Sequence, residues 1–262
     1  MPEGDTIHQT ARTLQRAIGG QPVVGWRSVL RPLDGVSFEG VEVASVEARG
    51  KHLLVHFDDG RTLHTHMKMD GSWHIYRPGE RWQLGEHRAH AVIETPTWVA
   101  VCFDAPICEL VAKGRVPEAV ARLGPDLLDP DADLDEAVRR LRSEPDLPLG
   151  VAVMRQDLVS GIGNVYKSEV LFLKRLSPFA RVADVDDATL RGVVDEARRL
   201  LRANLGRARR TRHRLRGDRH WVYGRSGAPC FECDGTIEME RQGDQRRSTY
   251  FCPACQGPRG SA

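Results

Sequence analysis

Apolar residues Ile7, Ala11, Leu14 and Ile18 recur at three- and four-residue spacing with polar residues between them. That period predicts one amphipathic helix over residues 2–18. Pro2 suits its first position, Glu3 and Asp5 suit its positive end, and Gly19-Gly20 stops it. From Val41 to about Phe103 the period becomes two. Leu53, Val55 and Phe57 alternate with Leu54 and His56, Leu63, Thr65 and Met67 with His64 and His66, and Val99, Val101 and Phe103 repeat the pattern. Asp58-Asp59-Gly60, Asp70-Gly71, Pro78-Gly79 and Thr95-Pro96 supply turns. Short alternating strands joined by tight turns predict an antiparallel sandwich or barrel.

The pattern then changes. Pro117, Pro125 and Pro130 and a run of aspartates suggest a linker over residues 116–130. It leads into a helix carrying Leu134, Ala137, Val138 and Leu141. Leu149 to Met154 is apolar, Ser160-Gly161-Ile162-Gly163 interrupts, and Asn164 to Leu173 resumes helical character. Leu190, Val194, Ala197, Leu201 and Leu205 line one face of a longer helix. The fold class is therefore α+β and multidomain, with a helical second half ending in a small cysteine-bearing module from about Trp221.

Composition narrows the class. The 262 residues are 40% hydrophobic and 28% charged, ordinary for a soluble globular chain. No apolar run approaches the ~18 residues needed to span a bilayer, and the charged start is no secretory signal. A cytoplasmic protein without a membrane segment is expected. Net charge is only +2, yet between Arg198 and Arg225 eleven arginines face one acid, Asp218. Arg207, Arg209, Arg210, Arg212, Arg214, Arg216 and Arg219 read either as a solvated face in an arginine-rich chain or as contacts to a nucleic-acid backbone.

Cys230-Phe231-Glu232-Cys233 and Cys252-Pro253-Ala254-Cys255 are separated by eighteen residues. Two such pairs can close a tetrahedral thiolate site on one zinc ion. Four protein ligands leave no open position, so the metal would be structural and would supply folding energy to a segment with little core. Glu238, Glu240, Arg241 and Gly243-Asp244 between the pairs suit a β-hairpin, whereas Cys102 and Cys108 read as ordinary thiols of the strand region. Gly161-Ile162-Gly163 opening a helix can offer backbone N–H groups to a phosphate, with Asn164 adding a side-chain donor. The same turn also serves close packing.

With Met1 removed, Pro2 carries a free secondary amine. Near neutrality roughly a tenth of an α-amino group is uncharged, against a few parts in ten thousand for a lysine side chain. It is a ready nucleophile for an aldehyde-like sugar carbon, with Glu3 beside it for proton transfer. The same residues also make an ordinary helix start. Lys51, in Gly50-Lys51-His52 before an apolar strand, reads as a strand flank or as a site cation.

Taken in order, Met1-Pro2-Glu3-Gly4-Asp5-Thr6, Arg49-Gly50-Lys51-His52-Leu53, Gly161-Ile162-Gly163-Asn164-Val165-Tyr166, Trp221-Val222-Tyr223-Gly224-Arg225 and the four cysteines closely resemble the formamidopyrimidine-DNA glycosylase and endonuclease VIII family. The resemblance spans the chain. It implies an N-terminal helix with a β-sandwich (1–115), a linker (116–130), a helix-two-turn-helix domain (131–220) and a zinc β-hairpin finger (221–262). It also implies a monomeric enzyme that excises oxidised bases from damaged DNA and cleaves the strand by β,δ-elimination. Pro2 would form the Schiff base at C1′, Glu3 would act as general acid, and Lys51 would contact the phosphate beside the lesion. Asn164, with Gly161 and Gly163, and Arg247 would hold phosphates, and Met69 would fill the space vacated by the flipped base.

One departure bears on substrate. Formamidopyrimidine-DNA glycosylases carry an Arg-Phe pair that supports the orphaned base. The matching stretch here, Asp104-Ala105-Pro106-Ile107-Cys108-Glu109, has none. The resemblance therefore leans to the endonuclease VIII branch of actinobacterial type and to oxidised pyrimidines, although Lys68-Met69-Asp70 does not reproduce that branch's insertion triad. The alternatives are an 8-oxoguanine enzyme and a catalytically silent zinc DNA-binding protein.

Overall fold

Helix α1 spans Gly4–Ile18 and buries Ile7, Ala11, Leu14 and Ile18, the predicted stripe. These side chains sit on an antiparallel sandwich in which β1 (Gly25–Arg27), β6 (Ala89–Glu94), β7 (Val99–Phe103) and β5 (Ser72–Tyr76) form one sheet in that order. The other sheet is β2 (Val43–Arg49), β3 (His52–Phe57), β4 (Thr62–His66) and β8 (Ile107–Val111). The structure is a computed structural model that describes residues 2–206, 208–212 and 217–257. Met1, Arg207, Arg214 and Arg216 lie outside the described residues.

Two compact units divide at Arg122 and Leu123. In the first, Val46, Leu53, Val55 and Leu63 meet Ala91, Ile93, Ala100 and Cys102 across the sandwich, with α1 completing the core. Every residue of β7 is buried, because Tyr76, Trp82 and Leu84 cover its other face with Val99, Val101 and Phe103. Alternation alone predicted one buried face there; a covering loop supplies the second.

The second unit begins inside the expected linker. Short helix α2 (Glu118–Ala121) ends the first unit, and Leu127 and Leu128 are buried in the helical core of the second. Prolines and aspartates therefore mark bends here rather than a free connection. That core gathers α3 (Leu134–Arg142), α4 (Leu149–Ala152), α5 (Asn164–Leu173) and α6 (Asp187–Ala203). Asp133 and Asp186 cap α3 and α6 by accepting backbone N–H bonds. A hairpin of β9 (Glu238–Gln242) and β10 (Arg247–Phe251) precedes α7 (Pro253–Gln256). Phe172, Val222, Ile237, Cys230 and Cys252 form its small core. No helix among the described residues is long and apolar enough to cross a membrane.

Candidate functional site

The first unit concentrates four sequence signals at one end of the β2-β3-β4-β8 sheet. Arg49 pairs with His52, so Gly50 and Lys51 form a two-residue turn between β2 and β3. Gly50 has φ +57°, a conformation that side-chain-bearing residues rarely adopt. On the next strand Leu53 pairs with Thr65, which puts the turn after His66, bearing Met69, at that same end. His66 in turn pairs with Ile107, so the stretch entering β8 from Asp104 arrives there too. Helix α1 runs against β2: the Gly20 N–H donates to the Val43 carbonyl at 2.7 Å, and the Val46 N–H donates to Gln15 Oε1 at 2.5 Å. Its N-terminus therefore points toward the Gly50-Lys51 end.

At that N-terminus Pro2 is half-buried and outside the helix. Glu3, rather than Pro2, is the last non-helical residue. It has extended backbone (φ −122°, ψ −176°), and its carbonyl accepts from the N–H groups of Thr6 and Ile7 at 3.0 and 3.1 Å. The expected placing of Pro2 at the first helical position is corrected by this register. Glu3 is fully buried, and its carboxyl is not spent on capping the helix. Lys51 is half-buried. Met69 is 58% exposed in a turn where Lys68 has φ +45° and donates its backbone N–H to His66 Nδ1 at 3.2 Å. A side chain at Gly71 would strike the backbone of Ala105 and Met67, so the turn has to close on glycine.

The second unit carries the remaining predicted residues. Gly163 precedes α5 and Asn164 opens it, 3% exposed. The Gly161 N–H donates to Gln156 Oε1 at 3.1 Å, so that amide holds the turn together and is not presented as an open phosphate donor. Helix α5 is buried on nearly all sides, including Lys167, Ser168 and Glu169. Buried polar groups need partners, and here they tie the helix to the finger. Lys167 Nζ donates to Asn164 Oδ1 at 3.2 Å and to the Ser248 carbonyl at 2.9 Å. Ser168 Oγ accepts from the Tyr250 N–H, and Glu169 accepts from the N–H groups of Trp221, Val222 and Tyr223 at 2.7–2.9 Å.

Sequence reasoning passed over these three residues. The available signal was a lysine, a serine and a glutamate in succession inside an otherwise apolar helix.

Arg247 opens β10 opposite Gln242. Its guanidinium donates to Gln245 Oε1 at 3.0 and 2.8 Å and, among the described residues, makes no ion pair. Arg212 behaves differently from a solvated arginine: it is 7% exposed and lies 3.7 Å over the Phe231 ring. Arg225 covers the same ring at 3.5 Å, so both arginines brace the first cysteine turn.

Cys230, Cys233, Cys252 and Cys255 bring their sulfurs within 4.8 Å of one another. Neighbouring separations of 3.4, 3.5 and 3.8 Å are near the ~3.8 Å edge of a tetrahedron with metal–sulfur bonds of about 2.3 Å. The N–H groups of Glu232 and Gly235 point at the sulfurs of Cys230 and Cys233, both at 3.4 Å. The cluster fits one structural metal ion. Cys102 is fully buried and its thiol is pushed up by burial, and Cys108 is half-buried.

Comparison with known proteins agrees with this layout. The formamidopyrimidine-DNA glycosylase N-terminal domain matches residues 1–105, and the H2TH domain of the same glycosylases matches residues 123–214. A probable endonuclease 8 2 of Streptomyces coelicolor is 39% identical over 98% of this chain and 95% of its own length. The DNA-(apurinic or apyrimidinic site) lyase Nei2 of Mycolicibacterium smegmatis is 38% identical over 98% and 99%. Among solved structures, Lactococcus lactis formamidopyrimidine-DNA glycosylase bound to abasic-site DNA superposes with a TM-score of 0.79 at 21% identity, covering 97% of this chain and 99% of that one. With relatives this similar along its full length, the chain belongs to the formamidopyrimidine-DNA glycosylase and endonuclease VIII family.

Proposed function

We propose that Pro2 is the covalent nucleophile of this chain, which excises oxidised pyrimidines from DNA. The enzyme class, a DNA glycosylase with AP-lyase activity in base excision repair, follows from full-length likeness to the endonuclease 8 and Nei2 relatives. The observation that carries the residue assignment is the gathering at one sheet end: the α1 N-terminus points there, and the Lys51 and Met69 turns lie there.

In this reading damaged DNA is the partner. The Pro2 nitrogen attacks C1′ of the damaged nucleotide while the bond to the base breaks and the base leaves with its electron pair. Glu3 supplies the proton in that step. The nitrogen sheds its proton and pushes its electron pair toward C1′, the C1′–O4′ bond breaks and O4′ takes up a proton, and the ring-opened iminium so formed acidifies the C2′–H. Loss of that proton expels the 3′ phosphate, and a second elimination expels the 5′ phosphate. Lys51 holds the phosphate beside the lesion, Asn164 and Arg247 hold others, and Met69 enters the vacated stack. Four cysteine thiolates suit zinc; zinc there would crosslink the two turns, and the chain's own contribution is to present Arg247 from β10. The chain acts as a monomer.

The oxidised-pyrimidine assignment rests on residues 104–109. Asp104 is paired with Arg88 (Nε–Oδ2 2.7 Å), and Ile107 to Glu109 are hydrogen-bonded into β8. Nothing in that stretch resembles an Arg-Phe pair for an orphaned cytosine.

Borohydride trapping on abasic-site DNA tests Pro2. Mature protein should form the covalent adduct, and protein verified to retain Met1 should form none. An undiminished adduct with Met1 in place overturns the assignment. Glu3→Gln should slow base excision more than cleavage of a preformed abasic site.

A further inference from the structure

On the face of β3, β4 and β8 turned away from the sandwich core, three polar side chains form a continuous chain. Glu109 Oε1 lies 2.8 Å from His64 Nδ1, and His64 Nε2 lies 2.8 Å from His52 Nδ1. His64 is fully buried and His52 7% exposed, while the Glu109 side chain is 55% exposed. His52 directly follows Lys51 in sequence.

The chain has a direction. A carboxylate only accepts hydrogen bonds, so His64 Nδ1 donates to Glu109. In a neutral ring that leaves the lone pair on His64 Nε2, and His52 Nδ1 must be the donor to it. His52 Nε2 is then the terminal acceptor. His52 stays neutral: burial first, then the neighbouring His66, His64 and Lys51, push it down to about 3. His66, whose ring lies 4.6 Å from that of His52, is pushed down to about 4 by burial and then by Lys51, His64 and Lys68. Its Nδ1 accepts the Lys68 N–H at the start of the Met69 turn. Each ring is thereby fixed by a hydrogen bond, next to the lysine turn and the methionine turn.

We propose that Glu109, His64 and His52 are positioning residues for Lys51, a one-way hydrogen-bonded chain that fixes the imidazole tautomers and ends in an acceptor for the Lys51 side. This rests on the reading of Lys51 as the residue beside the lesion phosphate. Reversing the tautomers would turn the terminal acceptor into a donor on the residue next to Lys51, whose charge already acts on the His52 ring.

Nitrogen-15 NMR of histidine-labelled full-length protein reads the tautomers without DNA. Wild type and Glu109→Gln, whose amide oxygen still accepts, should show His52 and His64 protonated at Nδ1, and Glu109→Leu should show His52 mixed or reversed. Single-turnover cleavage of abasic-site DNA should fall roughly tenfold in Glu109→Leu, since loss of ~1 Å of positioning costs up to ~100-fold. Affinity for uncleavable tetrahydrofuran-containing DNA should weaken too, by less than the rate, because Lys51 also holds a phosphate, and Glu109→Gln should recover both. A doubly protonated His64, a His52 protonated at Nε2 in wild type, or an undiminished rate in Glu109→Leu overturns the chain. If wild-type protein traps no adduct, the Pro2 reading fails and this role with it; if it traps but the tautomers are reversed, only the chain fails.

Discussion

Lys167 reaches from the helix that Asn164 opens to the strand that Arg247 opens. Its ammonium lies 3.2 Å from Asn164 Oδ1 and 2.9 Å from the carbonyl of Ser248, next to Arg247. One buried cation, 1% exposed, thus sets the spacing between two residues assigned to phosphate. By occupying the oxygen of the Asn164 amide, it also leaves the NH₂ end of that amide for other contacts.

Lys167→Met keeps length and removes the donor, stranding a buried carbonyl at a cost of about 1–3 kcal/mol. Thermal unfolding should show that loss. Affinity for tetrahydrofuran-containing DNA should drop while metal content stays at one per chain. Unchanged affinity would show that the spacing matters less than the two end groups.

Two substitutions in the finger should separate metal binding from DNA binding. Cys252→Ser removes a ligand and should cost zinc and, by freeing the two cysteine turns that flank the hairpin, DNA affinity as well. Arg247→Ala should keep zinc, weaken binding, and lower the salt slope of log K by about 0.9, the share of a single phosphate that the alanine variant leaves unneutralised. Protein purified without chelators but free of zinc would contradict this account.

The buried histidines give stability a pH dependence of definite sign. His52 and His66 are pushed down to about 3 and 4 in the folded chain, so below the ordinary histidine range the unfolded chain binds more protons. Stability should therefore fall as pH drops through that range toward 4, by up to about 1.4 kcal/mol per pH unit for each ring. Urea melts of wild type and His52→Phe between pH 4.5 and 7 check it. The variant should have the shallower dependence, and comparing the two cancels the contribution of the cysteine site.

The proposed lesion choice, argued from the 104–109 stretch, is open to direct test. Without support for an orphaned cytosine, release should track how readily the base leaves the stack. Oxidised pyrimidines stack less well than 8-oxoguanine, by ~1–2 kcal/mol of the few that flipping costs. In matched single-turnover assays 5-hydroxyuracil, thymine glycol or dihydrouracil should be released faster than 8-oxoguanine opposite cytosine. The reverse order would move the chain to the other branch of its family.

Much of the fold is legible locally. The stripe of α1, the alternation of β3 and β4 and the two cysteine pairs depend on nearest neighbours in sequence. The role of Arg212 was not legible, because only folding lays its guanidinium over Phe231. The partner of the Gly161 amide was not legible for a related reason: the Gln156 side chain, five residues earlier, reaches forward to accept from it.

Periodicity, turn residues and cysteine spacing act over a few residues, and they are enough to say which elements form and which residues are candidates for chemistry. Which candidates share a place is set by long-range pairing and packing. Register between strands brings the Lys51 turn and the Met69 turn to one sheet end, and an antiparallel helix directs Pro2 toward it. Packing also selects the partners of buried polar groups. His52, His64 and Glu109, or Lys167 and Ser248, are far apart in sequence, and only the cost of burying an unpaired polar group requires that they meet.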